Sequence, residues 1–281
     1  MLSSGRVVYG TAIVGFGALC LRYVGFVHQL QPVDVFVSAA TPGYGPLAAQ
    51  NGVALIACGL ALVADLHVHR AALALAVFFT LWILLLQLPS AFLDPGLLRS
   101  PFWVRTFEIS VLTGAALILA GMTIEPRRDR WTRAGRLLFG SSLPVFGVLH
   151  FVYAENVASL VPSFFPWPLF LAYLTGVGNV AAGAAIAAGA LPRLAAILAA
   201  VMYGIYAVTL HIPRELLAAV PPGDQRAGLT SMFVAIGFCG AALIVAGSLG
   251  SAPEPAPGSS TSLARRFLTL RSTRPSHDPR P

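Results

Sequence analysis

Residues 5–23, GRVVYGTAIVGFGALCLRY, and residues 135–153, GRLLFGSSLPVFGVLHFVY, are two renderings of one pattern. Gly5, Arg6, Tyr9 and Gly10 answer Gly135, Arg136, Phe139 and Gly140. Phe16-Gly17 answers Phe146-Gly147, and Tyr23 answers Tyr153. The correspondence continues downstream. Gly52-Val53 matches Gly176-Val177, Gly59 matches Gly183, and Gln87-Leu88-Pro89 matches His211-Ile212-Pro213. The stretch GAALILAG at 114–121 matches GAALIVAG at 240–247. Matches that fall in order in four successive apolar runs point to an internal repeat.

The runs themselves predict what the repeating unit is. They lie near 7–27, 47–66, 70–88 and 103–122, then near 136–156, 168–190, 193–212 and 227–248. At 1.5 Å per residue each is long enough to cross a hydrocarbon core of about 30 Å. Composition agrees: 10% of residues are charged and 57% hydrophobic, against roughly 25% charged in a soluble domain. A mean hydropathy of +0.77 leaves lipid as the solvent for most of the chain. The expected fold is an all-α integral membrane protein, with eight transmembrane helices arranged as two parallel four-helix bundles. An even number of crossings per unit brings both copies in from the same side. The organisation expected is a first unit over 1–123, a basic cytoplasmic connector over 124–134, a second unit over 135–249, and a disordered basic tail over 250–281, rich in Pro, Ser and Arg. Gly176, Gly183, Gly237 and Gly240 are placed to let helices approach closely. Segments 28–46 and 157–167 mix polar and apolar residues with several prolines, and read as interfacial or partly re-entrant.

All 18 basic residues are arginine. They flank the apolar runs in short loops and the tail, which is the pattern of membrane topogenesis and not of a nucleic-acid groove. With the N-terminus inside, thirteen arginines fall on the inner side and five on the outer. Both termini are therefore expected to be cytoplasmic, in a cell (inner) membrane. The run from Val7 to Leu21 reads as a retained helix and not a cleaved signal, because Leu19 precedes Cys20 and the run has an internal copy. Cys20, Cys58 and Cys239 each sit inside an apolar run without a C-x-x-C partner, so neither disulfides nor dithiol exchange are expected.

In the second unit, Arg136, Phe146-Gly147-x-x-His150-Phe151, Val161-Pro162 with Trp167, Thr175-Gly176-x-x-Asn179 with Gly183, and His211-Ile212-Pro213 together resemble the DoxX-like family. The likeness covers roughly 135–248 well and 5–121 more weakly. It implies a small four-helix membrane unit. Some family members are subunits of membrane redox complexes, including thiosulfate–quinone oxidoreduction. The chain departs from the pattern where many members carry a glutamate and this one has Asn179, and where the first unit has Cys20 in place of His150.

Polar side chains within a bilayer cost a few kcal/mol each and need partners or a purpose. His150, Asn179 and His211 are the principal ones, with Tyr153, Tyr203 and Tyr206 near them in sequence. Three readings stay open for the histidines. They can form a structural hydrogen-bond cluster, line a pocket for a ligand or a quinone headgroup, or ligate a haem axially, the weakest of the three. In the first unit Cys20, Gln87 and Leu55 stand where the second has His150, His211 and Asn179, so any ligand site is expected in the second unit. Arg105 and Glu108 are expected to pair at a helix start, and Arg214 and Glu215 to be solvated. Asp65, His67 and His69 fall in a short turn where solvation is a better account than metal binding; no metal site is expected.

The function that follows from the resemblance is an accessory or quinone-interacting subunit of a membrane redox complex, with partner subunits in the bilayer. Two alternatives are a transporter or small-molecule binder between the repeats, and a non-catalytic membrane scaffold. Nucleic acid is not an expected partner, and the residues alone do not say whether any chemistry occurs.

Overall fold

A computed structural model of the chain describes residues 1–93, 101–123, 128–217 and 222–250. Most of the basic tail, from 251 on, lies outside the described residues, as do Arg99, Arg127 and part of the connector. The described residues contain helices and no strand. In order these are α1 (Leu2–Arg22), α2 (Tyr44–Val63), α3 (Val68–Trp82), α4 (Leu88–Leu93), α5 (Pro101–Gly121), α6 (Arg128–Val152), α7 (Ala154–Leu160), α8 (Pro168–Ala188), α9 (Pro192–Ile205), α10 (Ile212–Leu217) and α11 (Pro222–Leu249). Two π-helical turns, Ile83–Gln87 and Tyr206–His211, join α3 to α4 and α9 to α10 into single long rods.

Among the described residues, eight helices are long and apolar enough to cross a membrane. An α-helix satisfies its own backbone, which is what lipid demands. Large apolar side chains face outward along these rods: Leu84, Leu85, Leu174, Val177, Leu198, Val201 and Val208 are each at least half exposed. A monomeric soluble protein does not present so much apolar surface. The chain is an all-α, multi-pass membrane protein whose apolar faces suit contact with a lipid bilayer.

Local signals explain where the spans stop. Pro168 and Pro192 occupy the first helical positions of α8 and α9, where a missing N–H costs nothing. Gly189 ends α8 with a left-handed φ of 72°.

Packing follows the small residues. A methyl group on Gly17 would sit 2.5 Å from the Gly52 carbonyl oxygen, and one on Gly10 would sit 2.8 Å from the Gly59 carbonyl oxygen, so α1 and α2 touch backbone to backbone. The same contact recurs between α6 and α8. A methyl on Gly147 would sit 2.6 Å from the Gly176 oxygen, and one on Gly140 would sit 3.3 Å from the Gly183 oxygen. A second kind of close approach links the units. Gly114 of α5 meets Gly135 of α6, and Gly240 of α11 meets Tyr9 of α1. The first helix of each unit therefore packs along the last helix of the other. Residues 1–250 form one compact body.

Both units run the same way. Gly247 approaches Leu2 at the start of α1, and Ser248 accepts hydrogen bonds from Arg136 near the start of α6, through its hydroxyl at 3.1 Å and its carbonyl at 2.7 Å. The starts of α1 and α6 thus share one end of the molecule with the end of α11. Across the centre, the fully buried Tyr9 hydroxyl donates to the Leu112 carbonyl at 2.8 Å. α5 and α11 are the most enclosed spans, with 67% of their apolar windows buried.

Candidate functional site

The place where the two units differ is the interior of each four-helix set, at the end away from the N-terminus. In the first unit it is filled. After α1 the chain turns through Val24 and Gln29, both with left-handed φ (47° and 69°). That conformation is unfavourable for a β-branched residue such as Val24. The turn carries Val27 and Leu30 into full burial beside Leu55, Phe79 and Trp82. The polar groups that enter with them are largely satisfied. Gln31 Nε2 donates to Asn51 Oδ1 and Asn51 Nδ2 donates to Gln31 Oε1, each at 3.0 Å. Asn51 Nδ2 also reaches Cys20 Sγ at 3.3 Å, and Gln87 Nε2 donates to the Leu30 carbonyl at 3.0 Å. The part of segment 28–46 read as interfacial is here a packed plug, since residues 28–31 are at least half buried.

In the second unit the corresponding interior holds a cavity of about 450 Å³. His150, Tyr153, Asn179, Tyr206 and His211 all line it, so every candidate residue read from the sequence falls on one cavity wall. Tyr203 and Thr175 are there too. Apolar and aromatic groups make up most of the rest, with Phe146, Phe165 and Phe238 among them. The first part of segment 157–167 belongs to the short helix α7 (Ala154–Leu160), from which Val157 and Leu160 supply part of the wall. The size falls in the usual range for a small-molecule site, ~300–1,000 Å³.

Each polar group is positioned by its helix. His150 lies near the end of α6, and its Nδ1 stands 2.7 Å from the Phe146 carbonyl one turn earlier. A carbonyl only accepts, so Nδ1 carries the proton, and in the neutral ring Nε2 is left as an acceptor. Asn179 is fully buried on α8; its Oδ1 accepts from the Tyr203 hydroxyl at 2.6 Å, and its Nδ2 donates to the Thr175 carbonyl at 3.0 Å. Asn179 therefore ties α8 to α9, which is the structural role in the first of the three readings. The histidines do not join that cluster. His211 makes no hydrogen bond among the described residues, and the buried Tyr206 hydroxyl reaches no partner in good geometry although Thr175 lies beside it.

Tyr206 and His211 owe their common wall to the π-turn. The Ile212 N–H bonds to the Ala207 carbonyl, five residues back. Isolated π-turns within α-helices are often found at functional sites. In the first unit the equivalent turn spans Ile83–Gln87 and ends on the residue that holds the plug.

One lining residue was not anticipated as part of a site. Glu108, from α5 of the first unit, lines the cavity and is paired with Arg105 at 3.2 Å. The pair was legible from its i,i+3 spacing; its position against the second unit was not, because only the packing of α5 on α6 brings it there. The cavity expected to belong to the second unit alone thus has one wall from the first. Glu215 also departs from expectation: it is buried with 4% exposure, its Oε1 is 3.6 Å from Arg214 Nε, and its Oε2 lacks a partner. Asp65 pairs with Arg6, and His69 Nδ1 lies 3.0 Å from Thr123 Oγ1, so two members of that turn are occupied in helix-end contacts. Among the described residues no group of three or more His, Cys, Asp or Glu side chains is placed to hold a metal ion. Cys20, Cys58 and Cys239 are free thiols.

The donor set fits a quinone-like headgroup: an imidazole acceptor, an imidazole without an internal partner and an unpaired phenol, set in apolar walls.

The fold and this cavity define a class: a polytopic helical membrane protein with an apolar-walled internal cavity. Residues 139–236 match a family described as a domain of unknown function, DUF8561. That match covers the second half of α6, all of α7 to α10 and the first half of α11, which supply most of the cavity lining. No curated protein matches the chain, and no solved structure does.

Proposed function

We propose that the protein is a DoxX-like tandem duplication, resident in a cell (inner) membrane with both termini cytoplasmic, whose second unit binds a small lipophilic molecule. A quinone headgroup is the candidate ligand, and an accessory subunit of a membrane redox complex is the role. The observation that carries the reading is the convergence of His150, Tyr153, Asn179, Tyr206 and His211 on one apolar-walled cavity of about 450 Å³. The recurrence of the Gly17–Gly52 contact at Gly147–Gly176 supports the duplication. In this site His150 Nε2 accepts from a hydroxyl of the reduced ring, and the Tyr206 hydroxyl and His211 N–H donate to ring oxygens. The test is a titration of the purified protein with a decyl-chain ubiquinone, alongside an optical spectrum. Saturable binding that His150→Leu weakens is the expected result; no quinone binding and no haem band remove the redox reading.

A second reading is favoured by Glu108. A carboxylate from the first unit in a cavity of the second suits a carrier or binder of small molecules working between the repeats. Substrate-dependent uptake into vesicles, lost in Glu108→Gln, separates this from the first reading.

A further inference from the structure

We infer that the cavity takes an uncharged amphiphile whose polar end is a carbonyl oxygen, accepting a hydrogen bond from His211, and that the plug of the first unit is a built-in likeness of this ligand. The inference rests on the reading of the cavity as a binding site and on the duplication. It goes further in naming the chemistry recognised.

The alignment of Gln87 with His211 sets Asn51 against Thr175, Leu55 against Asn179, Phe79 against Tyr203 and Trp82 against Tyr206. All four of these second-unit residues and His211 line the cavity. Two of their first-unit counterparts hold the plug directly, since Asn51 and Gln87 hydrogen-bond to it, and Leu55, Phe79 and Trp82 belong with Val27 and Leu30 to one buried core. Equivalent walls enclose chain in one unit and space in the other.

The plug shows what such walls hold. Its body is the aliphatic pair Val27 and Leu30, both fully buried. Its polar end includes the Leu30 carbonyl oxygen, which accepts from Gln87 Nε2 at 3.0 Å. His211 occupies the position that Gln87 holds in the first unit. The matching segment of the second unit does not fill its own space. In the register that pairs Tyr23 with Tyr153 and Pro32 with Pro162, Val27 and Leu30 correspond to Val157 and Leu160, which form wall. Gln31, which anchors the plug to Asn51, corresponds to Val161, and Asn51 to Thr175, so the anchor is missing. His211 is left without a hydrogen bond among the described residues. The charged wall residue, Glu108, is already paired with Arg105, which disfavours a ligand ion.

The test uses the full chain in detergent, with 2-undecanone, undecane and decyl-ubiquinone as probes, read by thermal shift and by titration. The ketone is expected to bind the native protein and His211→Gln, because a carboxamide performs this donation in the first unit, and to bind His211→Leu about tenfold more weakly, the loss of one hydrogen bond. Undecane is expected not to compete with the ketone. The double variant Val161→Gln with Thr175→Asn restores the anchor pair and is expected to close the cavity, abolishing ketone binding. This double variant also decides the matter should His211→Leu not fold. Undecane binding as tightly as the ketone, His211→Leu binding unchanged, or ketone binding undiminished in the double variant each overturns the inference. His211-dependent ketone binding without quinone binding retains it and removes the quinone. Quinone binding that ignores His211 does the reverse, and binding of neither probe removes both.

Discussion

Tyr206 and His211 stand at the two ends of one π-turn and line the same cavity. In an uninterrupted α-helix, residues five apart are rotated by about 140° at 3.6 residues per turn, and one of the two would face elsewhere. The turn is thus what gathers a phenol and an imidazole from a single span. Tyr206→Phe tests the phenol. Its hydroxyl has no partner in good geometry, so removing it relieves a buried unsatisfied group. The variant is expected to melt at or slightly above the native temperature, yet to bind decyl-ubiquinone several-fold more weakly. Thermal melts and titrations on the same sample read both outcomes.

Tyr203→Phe should do the opposite. The Tyr203 hydroxyl donates to Asn179 Oδ1 at 2.6 Å in a fully buried position. Its loss leaves an amide oxygen buried without a donor, at a cost of about 1–3 kcal/mol. A lower melting temperature is expected. In a double-mutant cycle with Asn179→Leu, the second substitution should cost much less in the Tyr203→Phe background than alone. Additive losses would remove the pair as a structural tie.

How much of this was legible in sequence depends on whether the cause is local. Gly176, Gly183 and Gly240 announced close helix contacts because a missing Cβ is visible in the letters, and the structure puts each against the backbone of a neighbouring helix. His150, Asn179 and His211 stood out because polar groups in apolar runs are costly. The plug was legible only as a segment, 28–46, that reads as interfacial or partly re-entrant; its tight entry was not, because Val24 and Gln29 adopt left-handed backbone without the glycines that usually mark it. Nor did Glu108, whose place on the cavity depends on α5 packing against α6 across two units. The π-turns were equally hidden, since reading the run with a 3.6-residue period turns Tyr206 away from His211.

The glycine contacts make a stability prediction of their own. Gly17→Ala puts a methyl 2.5 Å from the Gly52 oxygen, with rigid backbone on the other side. The helices must separate, and overpacking of this kind costs about 1–3 kcal/mol. Gly43→Ala is a different control: nothing lies within 4 Å, but its φ of 91° is poor for alanine. Both variants should melt below the native protein. Gly17→Ala alone is expected to weaken the α1–α2 contact, read as faster labelling of the buried Cys20 by a thiol probe.

The Arg105–Glu108 pair predicts an order of damage. Removing the cation leaves a carboxylate against a cavity wall, whereas Glu108→Gln leaves a neutral amide that can still accept from Arg105 at the same distance. Breaking a largely buried pair is more harmful than neutralising its acid. Arg105→Gln is expected to lower the melting temperature more than Glu108→Gln, and the double variant to fall between them. If Glu108→Gln were the worst of the three, the pair would not be what holds the carboxylate in place.

His28 sits outside the spans, and burial, followed by the charges of Arg226 and Arg105, holds its imidazole below the usual value of 6.5. The unfolded chain therefore binds a proton at His28 more readily than the folded protein does. By linkage, stability is full above pH 6.5 and falls as the pH drops through the unfolded and then the folded value. His28 lies within the plug segment, next to Val27 and Leu30, so its protonation brings a charge beside residues that are fully buried. Melting temperatures of the detergent-solubilised protein should decline as the pH drops below about 6.5, the usual imidazole value, and His28→Gln should flatten that decline. A His28→Gln profile as steep as the native one would assign the acid sensitivity to other groups. A flattened profile would locate the weakest point of the first unit in the segment that fills its cavity.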